Sequence, residues 1–177
     1  MLPEFPNLTK CKKCDEILWL DDMEEICTYG YDDKEHTTEW KAADRAEFLD
    51  VPDLIRFLEL DMVECNIEKE KFIRQQIWWA FNDRIRKPRF FRRQRIFIQE
   101  SDEVLWKQNC QRLLELLDPA DTSDKLMSAE LHRNLGEFDA CVEILNSVDD
   151  DDEGCVLVVE KLKRECGKRN KLLVKLR

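Results

Sequence analysis

The stretch Asp124 to Val148, DKLMSAELHRNLGEFDACVEILNSV, constrains this chain more than any other. Leu126, Ala129, Leu131 and Leu135 recur at three-to-four spacing, Gly136 interrupts, and Phe138, Cys141, Val142 and Leu145 resume it. That is the pattern of two amphipathic helices joined by a tight turn. One such hairpin cannot bury its own apolar face, so the rest of the chain has to lay further helices on it. Composition agrees. Four glycines and five prolines among 177 residues leave few turn formers for an all-β fold, and 43% apolar residues suffice for a core. The expected fold class is mainly α, built of helical hairpins.

Other helices follow from the same spacing. Trp40, Ala43, Ala46 and Phe48 or Leu49 predict a helix from near Glu39, and Pro52 fits the first turn of the next one, which carries Leu54, Ile55, Phe57, Leu58 and Met62. Phe72, Ile73, Ile77, Trp78, Ala80 and Phe81 mark a long helix closed by Lys87-Pro88. Adjacent Trp78 and Trp79 differ by ~100° around that helix and cannot share a face. Ser101 or Asp102 should cap a helix bearing Val104, Leu105, Leu113, Leu114 and Leu117. Val156, Val159 and Leu162 face inward from a last helix that Gly167 stops. The domain division expected is a small lobe over 1–38 and a helical domain over 39–177 with its repeat-like hairpin at 124–148.

The small lobe opens on TKCKKCDEILWL, Thr9 to Leu20: two cysteines separated by two residues, then a short strand. Thiolates so spaced can both reach one tetrahedral zinc ion. The next donors along the chain are Cys27 and His36, so Cys11, Cys14, Cys27 and His36 form the candidate ligand set for a structural zinc. A knuckle that has lost its metal, or one completed by the same pair from a second chain, also fits these residues. A thioredoxin-like dithiol would need the motif at a helix start in a βαβ setting, and that pattern is absent from this sequence. Of the eight cysteines, the six others stand singly and default to small core hydrophobes.

A net charge of −10 argues against nucleic-acid binding by the whole chain. The charge is uneven, and Arg84 to Arg95, RIRKPRFFRRQR, holds seven bases and no acid. Arginine with phenylalanine suits phosphate gripping and base stacking, which makes Arg86, Arg89, Arg92, Arg93 and Arg95 the candidate contacts of an alternative function, a nucleic-acid-associated factor. No serine elbow, phosphate loop or zinc-protease helix accompanies His36 and His132, so no catalytic residue is nominated and an enzyme is not the expectation. Met1 to Pro6 lacks the basic and apolar regions of a signal peptide, and no uncharged run approaches ~20 apolar residues. A soluble, cytoplasmic protein without membrane contact is expected.

The hairpin resembles a tetratricopeptide-repeat hairpin. Ala129 falls on the small residue of the first helix, Leu135-Gly136 on the turn, Phe138 on the aromatic after it and Leu145 on the large apolar position. Cys141 replaces the usual alanine at the close crossing, and Lys125 and His132 stand where aromatic or aliphatic residues are common. No second copy is plain at a ~34-residue period. Taken with the knuckle running into Trp19 and the WWAFND stretch at Trp78 to Asp83, the chain resembles a family of uncharacterised bacterial cytoplasmic proteins. Those pair a rubredoxin-like or zinc-ribbon-like lead with a tetratricopeptide-like body. Asp15 stands where such knuckles usually have glycine. The resemblance implies an architecture and no activity. The function expected is a non-enzymatic protein–protein interaction or adaptor protein, receiving a partner in a groove between helices.

Overall fold

The computed structural model describes residues 7–25, 37–44, 46, 49–59, 66–86, 96–148 and 153–172. Its fold is mainly α, with a small β-hairpin near the N-terminus. The chain divides into two compact units, 1–53 and 54–177.

In the first unit β1 (Leu8–Lys10) and β2 (Ile17–Trp19) pair antiparallel, with Leu8 opposite Trp19, Thr9 opposite Leu18 and Lys10 opposite Ile17. Leu8 and Ile17 share one face of the hairpin and are buried, and Thr9, on the other face, is buried as well. A 3-10 turn follows at Leu20–Asp22. Helix α1 (Thr38–Ala42) is one short turn, its start capped by the Thr37 side chain accepting from the Trp40 N–H at 3.2 Å. It stops at Ala43, which is extended, and Trp40 stays 48% exposed, so the longer helix expected from Trp40, Ala43 and Ala46 does not form. Helix α2 (Val51–Glu59) begins in this unit and continues into the second. The Asp50 carboxylate caps it by accepting from the Asp53 N–H at 3.0 Å, and Pro52 sits in the first turn. Asp53 in turn pairs with Lys10 of β1 at 3.0 Å.

In the second unit α3 (Ile67–Arg86) starts on Asn66, whose side chain accepts from the Lys69 N–H. It buries Ile73, Ile77, Trp78 and Phe81, while Trp79 points away and is 41% exposed. Helix α4 (Asp102–Glu115) packs on α3. Its buried face is Trp106, Asn109, Cys110 and Leu113, and Val104, expected in the core, is 56% exposed. Phe97 bridges the two helices, edge-on to Phe81 at 6.4 Å and to Trp106 at 5.6 Å. Glu70 of α3 takes a two-pronged bond from Arg112 of α4, 2.9 Å to each oxygen, and a third from Arg74 at 2.7 Å.

Helix α5 (Thr122–Leu135) is capped by Asp121, which accepts from the Asp124 N–H at 2.8 Å. Gly136 (φ 91°) ends it in the left-handed region, with Glu137 N–H on His132 O and Gly136 N–H on Arg133 O. Helix α6 (Phe138–Asn146) folds back onto α5, completing the helix–turn–helix expected at 124–148, and α7 (Glu153–Gly167) lies on α6. Ala129, Phe138, Cys141, Leu145, Val148, Val159, Leu162 and Cys166 form the core of these three helices. Gly167 belongs to α7, and the left-handed stop is taken two residues later by Arg169 (φ 52°). Among the described residues no helix is long and apolar enough to cross a membrane.

Candidate functional site: the cysteine knuckle

β1 and β2 are joined by Cys11 to Glu16, so the two cysteines ride on a hairpin turn rather than a helix start. The Cys11 N–H donates to Glu16 O at 2.8 Å, continuing the ladder, and the Asp15 N–H returns to Cys11 O at 2.9 Å. This closes a tight loop that turns both side chains to the same end of the hairpin, close enough for the two sulfurs to hydrogen-bond. Asp15 carries φ 58°, the left-handed value that glycine supplies in the resembled knuckles. Aspartate is one of the few other residues that enters this region at modest cost, so the departure at this position leaves the turn intact.

The backbone is aimed at the sulfurs. The Lys13 N–H and then the Cys14 N–H donate to the Cys11 sulfur. With the Cys14 thiol and the Lys13 charge they hold Cys11 below the usual thiol range. The Glu16 N–H pulls Cys14 the same way. It is outweighed by the hydrogen bond Cys14 gives to Cys11, by some loss of hydration and by the negative charge of Cys11 and Glu16, so Cys14, though exposed, lies above the usual value. The Cys14 thiol also lies 3.9 Å from a Glu16 carboxylate oxygen, to which it donates. Lys10 and Lys12 are engaged by Asp53 and Asp44 within the same unit. The arrangement can present two sulfurs, pre-oriented by N–H donors, to one soft cation.

Of the four candidate ligands, Cys11 and Cys14 come together, whereas Cys27 and His36 lie outside the described residues. Among the described residues no three cysteine, histidine or carboxylate side chains gather as a metal site. Of the alternative nucleic-acid contacts, Arg86 is the last residue of α3, its side chain outside the described set, and Arg89, Arg92, Arg93 and Arg95 lie outside it altogether. Arg84, which opens that basic stretch, is engaged internally. Its guanidinium donates to Asp102 at 2.6 Å and to Ile96 O at 2.9 Å and sits 4.5 Å over the Phe81 ring. His132 is half-buried and pairs with Glu137 at 2.6 Å.

Sequence reasoning passed over a polar clasp. Arg133, fully buried, donates to Asn170 O and Leu172 O, each at 2.6 Å, and to Glu130 at 3.1 Å. Asn134 donates to Lys171 O at 2.9 Å and accepts from the Trp78 indole at 3.0 Å. The only hint in the sequence is the polar pair Arg133-Asn134 just before Leu135-Gly136, where exposed side chains are the ordinary reading. Beside the clasp, Gln75, Trp78 and Trp79 of α3, Leu126, Met127 and Glu130 of α5, and Val158 and Leu162 of α7 line a groove of about 210 Å³.

Comparison with protein-family models, with curated proteins and with solved structures finds no match to this chain.

Proposed function

We propose that this chain is a non-enzymatic, tetratricopeptide-like interaction protein whose N-terminal knuckle holds a structural zinc ion through Cys11 and Cys14. One observation carries the zinc reading. The Cys11 sulfur receives N–H bonds from Lys13 and Cys14, and the Cys14 sulfur one from Glu16, around a left-handed Asp15. Such N–H donors behind the sulfurs stabilise the thiolate charge that zinc binding requires. Cys27 and His36 are the candidates for the remaining two ligands. Zinc at this turn would cross-link the small unit rather than perform chemistry.

What supports the interaction role is the groove between α3, α5 and α7, where apolar walls and the exposed Trp79 suit the apolar face of a partner helix. Metal analysis of full-length protein purified without added zinc tests the first half. One zinc per chain is expected, falling to none in Cys11→Ser and in Cys14→Ser. A folded preparation with both cysteines and no metal refutes it. Trp79→Glu, which leaves the helical signal unchanged, should abolish capture of whatever partner the wild-type chain retains. Equal capture by both refutes the groove.

A further inference from the structure

Two cysteines that stand apart in the sequence meet in the core. Cys141 of α6 and Cys166 of α7 are 25 positions apart, yet their sulfurs lie 3.1 Å from each other. The Cys166 thiol donates to the Cys141 sulfur, and the two atoms are nearer than the ~3.5–4.0 Å of ordinary contact between carbon atoms. Cys141 is fully buried and Cys166 is 5% exposed. Both belong to the apolar cluster that joins α6 and α7, together with Phe138, Leu145, Val159 and Leu162 on the two helices. Cys110, buried alone in α4, shows the ordinary alternative, a thiol pushed up to about 12 by burial and serving as a small hydrophobe.

We propose that Cys141 and Cys166 are an oxidisable pair, closed to a disulfide by hydrogen peroxide, and that the bond fastens α7 to α6. Cys166, the more accessible, attacks the peroxide. The O–O bond breaks, an S–O bond forms, and the Cys166 sulfur becomes a sulfenic acid as water leaves. The Cys141 sulfur then attacks Cys166. The S–O bond breaks, the S–S bond forms and a second water departs with the remaining proton. Two thiols and one peroxide become one disulfide and two waters.

Burial, followed by the hydrogen bond to Cys166, holds the Cys141 thiol well above its usual range, while the buried Arg133 guanidinium beside it favours the anion and Glu130 opposes it. The pair is therefore shielded until α7 parts locally from α6, and reaction follows that opening. When α7 settles back onto α6 after the oxidation, the two sulfurs return to their 3.1 Å contact, which favours the intramolecular disulfide over further oxidation. The bond would tether Val158 and Leu162, the side of the groove that α7 supplies. The disulfide itself rests on neither zinc at the knuckle nor a partner in the groove.

The test treats folded, full-length protein with hydrogen peroxide overnight at neutral pH. The remaining thiols are blocked in denaturant, and the chain is cut between Cys141 and Cys155. The expected product is a peptide pair joined through Cys141 and Cys166 that separates on reduction, with Cys110 carrying the blocking group. In Cys141→Ala the linked pair should vanish and Cys166 should become reactive towards a sulfenic-acid trap. The proposal is overturned if wild-type Cys141 and Cys166 are both recovered as blocked thiols, or if Cys166 is joined to Cys155 instead.

Discussion

Asp102 shows what one side chain does here beyond its place in a helix. The sequence offers it as one of two caps for α4, the other being Ser101, and the Ser101 side chain makes no cap bond. Asp102 instead turns back, and one of its oxygens accepts from the Ile98 N–H at 2.7 Å, the Gln99 N–H at 3.0 Å and the Arg84 guanidinium at 2.6 Å. Burial alone would raise its pKa, but the bonds from Gln99, Ile98 and Arg84 together outweigh burial and hold the carboxyl below its usual range. Asp102→Ala leaves Arg84 without its counter-charge in a largely buried place and should cost about 3 kcal/mol, read as a lower urea midpoint. Gly136→Ala is a second single-residue case. The left-handed φ of 91° is strained for any residue with a Cβ, and that carbon would also meet the flexible end of Lys171. A loss of about 1–2 kcal/mol is expected in the same measurement.

Between elements, ion pairs and clasps do what apolar stripes leave undone. Glu70 ties α3 to α4 through Arg112 and its own helix through Arg74. The Arg112 bond, followed by those of Arg74, lowers its carboxyl from 4.5 to about 2 against the opposing effect of burial. A folded pKa below the unfolded one means stability is present above about 4.5 and is lost as pH falls towards about 2. Because Arg112 is 44% exposed, solvent screening reduces the contribution to about 1–2 kcal/mol. Glu70→Gln should therefore flatten the acid limb of a stability–pH curve between those values and cost little at the most acidic end.

The clasp of Arg133 and Asn134 joins the end of α5 to the carbonyls at 170–172. Arg133→Lys keeps the charge but loses the planar fork, whose Nη1 donates to both carbonyls while Nη2 donates to Glu130. It should cost about 2–4 kcal/mol and speed hydrogen exchange at the amides from Asn170 to Leu172.

For the molecule as a whole, the α5–α6–α7 core is built only of residues from the second unit. Removing metal or replacing Cys11 and Cys14 should therefore leave the helical circular dichroism near its wild-type level. A collapse of that signal would contradict the reading. The sequence by itself determined the mainly α class, the helix–turn–helix around Gly136, the parting of Trp78 from Trp79 and the strand after the knuckle, because each follows from local sterics and the period of apolar residues. It misjudged the α4 face, where the covered side runs through Trp106, Cys110 and Leu113 rather than Val104. It also overextended the helix at Trp40. In both places apolar residues admit more than one face, and packing chooses.

Only the tertiary structure decided that Cys141 meets Cys166, that Arg133 holds carbonyls 37 and 39 residues away, and that Asp102 answers Arg84. Periodicity records which side of a helix is covered. Which group lies opposite a buried sulfur or charge depends on how distant helices pack, and no local pattern carries that.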